Sequence, residues 1–210
     1  MCNCYDLTNK HIPWHAELER STDSASSSSD KPLNIRKTDK AVVGRSVDNK
    51  LEALPMRWGF HRSFNTAINN TREDKLDGGM WSEAWLQRRC VVPMSAYYEW
   101  SGPKGRKQTH AFVEEGKGWL WAAGVWEQDA DFGLCYSVIT VDANLVAEAI
   151  HNRMPALLAV GEIDDFLSAD DPRELLRPYE GRLKTFPCLN PLKMKEPSPP
   201  VPMEVDQELF

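Results

Sequence analysis

The sequence predicts one α+β domain with a mainly antiparallel, curved or barrel-like β-sheet core flanked by short helices. Short apolar segments rich in β-branched and aromatic residues fill positions 89–141. Helical spacing of apolar residues follows at 142–150. With 210 residues, 41% of them hydrophobic, the chain is long enough to bury one such core.

The strands are predicted from short extended patterns between turn signals. Residues 89–93 and 96–100 flank a turn at Met94-Ser95. Residues 109–114 precede 119–126 across Glu115-Gly116-Lys117-Gly118, which predicts that these two strands form a hairpin.

A strand followed by helices is predicted in the last third of the domain. The strand 134–141 leads into 142–150, where apolar residues recur every four positions. Because Pro155 disfavours helical geometry at the preceding residue, the helix should end near 151–153. Two short helices are expected around 162–167 and 173–176.

We expect residues 1–190 to form the domain and residues 191–210 to form a Pro-rich, acidic tail. The tail is expected to wrap around the domain or to leave it. Residues 21–30 are nearly all Ser, Thr and Asp, which predicts a mobile surface insertion.

Charge and composition exclude several classes of protein. The chain has 25 Lys and Arg against 31 Asp and Glu, a net charge of −6, so a nucleic-acid site must be a local basic patch. No apolar run approaches the roughly 20 residues of a membrane span, and the Met-Cys-Asn-Cys-Tyr-Asp start lacks a signal-peptide pattern. Five cysteines, an odd number, do not indicate a disulfide framework. We therefore expect a cytoplasmic protein.

The position of Cys2 makes it a candidate reactive residue, because removal of Met1 would place a thiol and an α-amine on adjacent carbons. One alternative is that this position is an accident of sequence. Another is a metal site, since Cys2, Cys4, His11 and His15 are the kinds of ligand that zinc takes. Their spacing is not that of a common zinc module, so we expect neither metal nor cofactor.

A loop-like segment holds a candidate pair of polar residues. Asn70 and Arg72 follow Met56-Arg57-Trp58-Gly59-Phe60. An Asn side chain can orient a nucleophile, and an Arg can grip a phosphate. Asn-rich loops that contain Arg are also typical of ordinary turns.

Two further candidates are single titratable residues. Period-two alternation places Glu99 on the face opposite Tyr98 and Trp100, where burial would raise the pKa of its carboxyl and make it useful as an acid or base. A solvent-facing Glu is the alternative. His151 lies at a predicted helix end, where it can serve as a catalyst or as a cap.

Taken in order, these motifs resemble the SOS response-associated peptidase (SRAP) family. The resemblance rests on the Cys after the initiator Met, the Met-Arg-Trp-Gly-Phe and Asn-Thr-Arg blocks, Arg89-Cys90-Val91-Val92-Pro93 through Tyr98-Glu99-Trp100, and Ile150-His151-Asn152-Arg153-Met154-Pro155. It covers about residues 56–190 and the N-terminal Cys. Asn3 and Cys4 stand where the family usually has Gly and Arg.

The resemblance implies a sensor of abasic sites in single-stranded DNA that forms a covalent DNA-protein crosslink. It implies that Cys2 is the nucleophile, Asn70 its positioning residue, Glu99 the acid/base at the amine and His151 the acid/base at the sugar. The predicted DNA contacts are made by four residues: Arg72, Arg57, Trp58 and Arg153. The exposed-looking loop Lys104-Gly105-Arg106-Lys107 is a further candidate, with a solvated turn as the alternative.

The chemistry expected of Cys2 is closure of a thiazolidine ring on the ring-opened sugar aldehyde, because an amine and a thiol on adjacent carbons can both add to one carbonyl carbon. A thiol autopeptidase that removes Met1 is compatible with the same residues. The remaining alternative is a catalytically inactive module that binds single-stranded DNA or protein on the same scaffold. We expect a monomer.

Overall fold

Short strands make up most of the regular secondary structure in the computed structural model, which describes residues 2–8, 12, 32–48, 50–116, 118–196, 198–200 and 202–203. The strands are β1 (Cys4–Thr8), β2 (Pro32–Arg36), β3 (Lys40–Val47), β4 (Lys50–Trp58), β5 (Phe60–Arg62), β6 (Asn65–Ile68), β7 (Asn70–Arg72), β8 (Arg89–Met94), β9 (Ala96–Ser101), β10 (Gln108–Glu114), β11 (Leu120–Asp129), β12 (Gly133–Asp142), β13 (Arg153–Pro155), β14 (Leu157–Leu158) and β15 (Leu183–Cys188). The α-helices are α1 (Ser82–Gln87), α2 (Leu145–Glu148) and α3 (Ile163–Ser168).

Five strands close into a ring, so the predicted barrel-like core is confirmed. The pairing runs β12–β4–β3–β8–β11 and returns from β11 to β12. All of these pairs are antiparallel except β4 with β12. The strand β7 also joins β12 in parallel, which places residue 70 beside the ring. A closed ring leaves no exposed edge within it.

A second, wholly antiparallel sheet has the order β15–β10–β9–β1–β2. Successive side chains of β9 point to opposite faces. Tyr97 joins the main core, whereas Tyr98 packs with Cys4 and Cys188 in a separate cluster. Since β1 pairs directly with β9, the segment that follows Cys2 is held beside Glu99.

Most of the predicted elements exist, but one pairing was wrong. β8, β9, β12 and α3 confirm the predicted elements at 89–93, 96–100, 134–141 and 162–167. β10 and β11 do not form a hairpin: β10 pairs with β9 and β15, and β11 pairs with β8, β12 and β14. β10 belongs to the second sheet and β11 to the ring, so the segment between them connects the two sheets.

The predicted helix at 142–150 is shorter than expected. It contains only α2, and Asn144 caps its start by accepting a hydrogen bond from the Ala147 amide at 3.0 Å. Residues 173–175 form a single 3₁₀ turn rather than an α-helix.

The described part of the tail lies against the edge of the second sheet. The Met203 amide donates to the Pro187 carbonyl at 2.9 Å, and Pro202 pairs with Cys188. Pro191 and Pro200 border a small pocket beside Tyr98. The predicted insertion at 21–30 lies outside the described residues. Among the helices that the structure describes, none is long and apolar enough to cross a membrane.

Candidate active site around Cys2

The main chain of Cys2 is fixed by two asparagines. Its carbonyl oxygen accepts hydrogen bonds from Asn70 Nδ2 at 2.8 Å and from Asn69 Nδ2 at 3.0 Å. The side chain is fully buried, and its thiol donates to the Cys4 carbonyl at 3.3 Å. Two hydrogen bonds to one carbonyl oxygen fix the orientation of the Cys2 main chain.

The asparagines are held by the barrel itself. The Asn69 carbonyl accepts from the Val138 amide at 3.0 Å and from Trp58 Nε1 at 2.8 Å. Asn70 begins β7, opposite Val138 on β12. In the sequence, the Asn-x-Arg spacing selected Asn70 over the adjacent Asn69, whereas both asparagines reach the Cys2 carbonyl in the structure.

Glu99 is the acidic group of the site. It lies on β9 and is only 3% exposed. Burial raises the pKa of its carboxyl from 4.5 to about 7, while the charge of Lys107 acts in the opposite direction. Such a carboxyl exchanges protons readily near neutral pH.

Burial raises the pKa of the Cys2 thiol well above its usual range. The nearby Glu99 carboxylate raises this pKa further, whereas the amides of Cys4 and Tyr98 lower it through hydrogen bonds to the sulfur. The thiol therefore needs a base beside it before it can act as a nucleophile.

His151 is half-buried and follows α2. Its Nδ1 accepts a hydrogen bond from the Arg153 amide at 3.0 Å, which leaves the ring proton on Nε2. Burial lowers the pKa of the imidazole, with smaller contributions from the charges of Lys107 and Arg153. The neutral ring is thus a hydrogen-bond donor, and Lys107 influences both His151 and Glu99.

Arg153 braces the loop that carries His151. It is 7% exposed, and its guanidinium bonds to Asp142 at 2.9 Å, to Glu73 and to the Thr140 carbonyl. These contacts join the start of β13 to the end of β12 and to the 3₁₀ turn after β7 (Glu73–Lys75). The guanidinium is engaged inside the protein, which argues against the predicted DNA contact.

Two more of the predicted DNA contacts are also internal. Arg57 is 6% exposed and donates to the Thr66 carbonyl at 2.9 Å, with its guanidinium 4.4 Å from the Phe132 ring centre. Trp58 is fully buried and stacks on Tyr136 at 6.3 Å. Neither side chain is available to contact DNA in this conformation, because both are engaged in the core.

The exposed cations lie elsewhere. Arg72 is exposed and forms a two-pronged pair with Asp74 at 2.7 and 2.9 Å. Lys104, Arg106 and Lys107 project from the loop between β9 and β10, and all three are exposed. Since Lys107 affects both Glu99 and His151, this loop borders the site.

The metal alternative, with Cys2, Cys4, His11 and His15 as ligands, is not tested by the described residues. His11 and His15 lie outside them. Within the described ranges, one possible ligand group consists of His61, Asp129 and Asp131, whose ligand atoms lie within 4.8 Å of one another. One oxygen of Asp129 already accepts two backbone amides, and the charge of Arg57 helps to lower the pKa of this carboxyl. We assign this group no role.

Comparison with known proteins identifies the family of this chain. A family model described as SOS response associated peptidase (SRAP) matches residues 1–191. The chain belongs to the SRAP family. It is 30% identical over 143 residues to the abasic site processing protein YMR114C of Saccharomyces cerevisiae, covering 61% of this chain and 37% of the yeast protein.

Other curated relatives carry similar names. The chain is 30% identical over 196 residues to the abasic site processing protein HMCES of Gallus gallus, covering 72% of this chain and 58% of that protein. It is 25% identical over 158 residues to the abasic site processing protein YoaM of Bacillus subtilis, covering 67% and 68%. The chain thus spans less than two thirds of the yeast and chicken proteins.

Solved structures share the fold. A protein of Bordetella bronchiseptica superposes with a TM-score of 0.71 at 22% identity, covering 90% of this chain and all of that one. A protein of Bacteroides thetaiotaomicron gives a TM-score of 0.66 at 22% identity, covering 77% and 79%. These likenesses show that the arrangement of the two sheets is a shared architecture.

Proposed function

We propose that this SRAP-family chain processes abasic sites in single-stranded DNA by forming a covalent crosslink through Cys2. The observation that carries the proposal is the convergence of Asn69 and Asn70 on the Cys2 carbonyl, with the buried Glu99 beside the thiol. The names of the relatives indicate the substrate, since each is called an abasic site processing protein.

The chemistry begins after Met1 is removed. The Cys2 amine adds to the aldehyde carbon of the ring-opened abasic sugar, and loss of one water gives an imine. The thiolate then attacks the imine carbon, a carbon–sulfur bond forms, and the nitrogen takes up a proton. The product is a five-membered thiazolidine, and one water is released in total. The step consumes no oxidant or reductant.

Glu99 and His151 have distinct roles in this proposal. Glu99, with a pKa of about 7, takes protons from the amine and the thiol of Cys2. His151 donates from Nε2 to the ring oxygen of the closed sugar, which favours the open aldehyde. Because ring opening precedes attack, a loss of His151 matters only for a sugar that is closed.

Removal of Met1 by the same thiol is the second activity that we propose. The Cys2 thiol adds to the Met1 carbonyl carbon and displaces the Cys2 amine, giving a thioester and a free amine. Water then hydrolyses the thioester and releases methionine. Glu99 supplies the proton that the departing amine takes up.

DNA binding is assigned to a small set of exposed cations, since the chain is acidic overall. Arg72 is exposed, as is the loop with Lys104, Arg106 and Lys107. Few phosphate contacts give a shallow salt dependence, with log K falling by roughly 0.7 per contact per decade of salt. Arg72→Ala should reduce that slope by about one contact.

The proposal is tested by incubating mature protein with a single-stranded oligonucleotide that contains one abasic site. Intact-mass analysis should show an adduct that survives heating, and an undamaged oligonucleotide should give none. Cys2→Ser should abolish the heat-stable adduct, because an oxygen does not replace the thiolate in ring closure. The matched control is Cys188→Ser, which replaces a buried thiol in the separate cluster that contains Tyr98. This variant should crosslink normally. An equally stable adduct from Cys2→Ser would refute the chemistry.

A further inference from the structure

Arg72, one of the exposed cations assigned to DNA, already holds an anion of the protein itself. Its Nε donates to Asp74 Oδ1 at 2.7 Å, and its Nη2 donates to Asp74 Oδ2 at 2.9 Å. Two parallel N–H bonds to two oxygens are also the geometry in which an arginine grips a phosphate. The same carboxylate lies 3.8 Å from Lys75 Nζ. Asp74 therefore offsets positive charge at a position where a nucleic-acid site needs it.

The pair lies next to the nucleophile. Asn70 Nδ2 bonds to the Cys2 carbonyl at 2.8 Å, and Arg72 follows Asn70 by two residues on β7. Side chains two positions apart leave the same face of a strand, roughly 6.6 Å from each other along it. A strand of DNA whose abasic sugar reaches Cys2 would thus pass beside Arg72 and Asp74.

The two consecutive acidic residues after Arg72 differ in what they hold. Glu73 pairs with Arg153, whose side chain is only 8% exposed, so this contact lies inside the protein. The side chains of Arg72 and Asp74 are 52% and 43% exposed. An ion pair so exposed adds little to folding stability. Because solvent reaches both partners, a phosphate can also reach the guanidinium and exchange with the carboxylate.

We propose that Asp74 competes with DNA phosphate for Arg72 and thereby lowers the affinity of the site for undamaged single-stranded DNA. The proposal deepens the function above and rests on it for the DNA contact at Arg72. A phosphate that approaches Arg72 must displace the carboxylate or lie beside a like charge. Undamaged DNA has only such contacts to hold it, whereas an abasic site is retained by a covalent bond. Asp74 would therefore favour damaged over undamaged strands.

The test measures binding of a fluorescently labelled, undamaged single-stranded oligonucleotide by anisotropy at low salt. Asp74→Asn keeps the shape of the side chain and removes its charge. This variant should bind about two- to fivefold more tightly than the wild type, the range expected when an exposed ion pair is removed. The gain should shrink as salt is added, because exposed charges are screened.

Asp77→Asn is the matched control. Asp77 lies three residues further along the chain and pairs in the same way with Arg173, which donates from Nη1 at 3.0 Å. The control removes an equal charge from an arginine that is not assigned to DNA. It should raise the affinity less than Asp74→Asn does.

A double-mutant cycle separates competition for Arg72 from a general effect of charge. In the background of Arg72→Ala, Asp74→Asn should raise the affinity no more than Asp77→Asn does in that background. Both carboxylates are exposed, so neither substitution should change the midpoint of urea unfolding appreciably.

Three outcomes would overturn the proposal: equal gains from Asp74→Asn and Asp77→Asn, a gain from Asp74→Asn that persists without Arg72, or weaker binding by Asp74→Asn. Weaker binding would show that the carboxylate orients Arg72 for DNA. Binding by neither the wild type nor Asp74→Asn would also overturn it. Crosslinking to an abasic oligonucleotide is measured separately, so a wild type that binds DNA without crosslinking refutes the proposed chemistry and leaves the role of Asp74 to the binding cycle.

Discussion

Replacing Glu99 by Gln should stabilise the protein while it impairs the reaction. Glu99 is 3% exposed, and burial raises its pKa from 4.5 to about 7. Between these values the folded state holds a proton that the unfolded state has released, so stability falls as pH rises through this window. At 1.36 kcal/mol per pKa unit, the full cost above pH 7 is about 3 kcal/mol. Glutamine is nearly isosteric and has no such ionisation.

The assay is urea unfolding at several pH values, from about pH 4 to about pH 8. The stability of Glu99→Gln should exceed that of the wild type by up to about 3 kcal/mol at the upper end, and the gap should close near pH 4. Glu115→Gln, in an exposed pair with Lys184, is the control and should show little change. A gap that is the same at both ends, or a less stable Glu99→Gln at high pH, would refute the reasoning.

Three further outcomes are expected. His151→Ala should slow crosslinking to a closed abasic sugar by about 10²-fold or more while sparing a simple aldehyde, and equal losses on both substrates would contradict the assignment. Arg153→Met should lower the free energy of unfolding by about 1.5–3 kcal/mol in urea, because its carboxylate partners are partly or largely exposed, whereas exposed Arg72→Ala should change it little. Asn69→Ala and Asn70→Ala should each slow crosslinking, and their effects should not be additive because both act on one carbonyl, as a double-mutant cycle will show.

Local sequence patterns predicted which segments are extended, because alternation and β-branched residues act within a strand. They did not predict partners. Residues 115–118 are typical of a hairpin turn, yet β10 and β11 belong to different sheets. Pairing depends on which strands close the ring and which form the second sheet, and that is a property of the whole fold.

The candidate site divides in the same way. Cys2, Asn70, Glu99 and His151 were selected from motifs, and the structure places Asn70 and Glu99 beside Cys2. Arg57, Trp58 and Arg153 were predicted to contact DNA, but all three side chains are buried. Burial of Arg153 follows from its partners Glu73 and Asp142, one of which is 80 residues away.

The distance along the chain between Cys2 and its anchors has a consequence for biosynthesis. The bonds to its carbonyl span 67 and 68 residues, and β12, which supports β7, lies further on still. Contacts of such long range form late in folding. During synthesis Cys2 therefore precedes every group that orients it. In a nascent or unfolded chain Cys2 therefore has an ordinary thiol, and its arrangement with Asn69, Asn70 and Glu99 exists only once the barrel has closed.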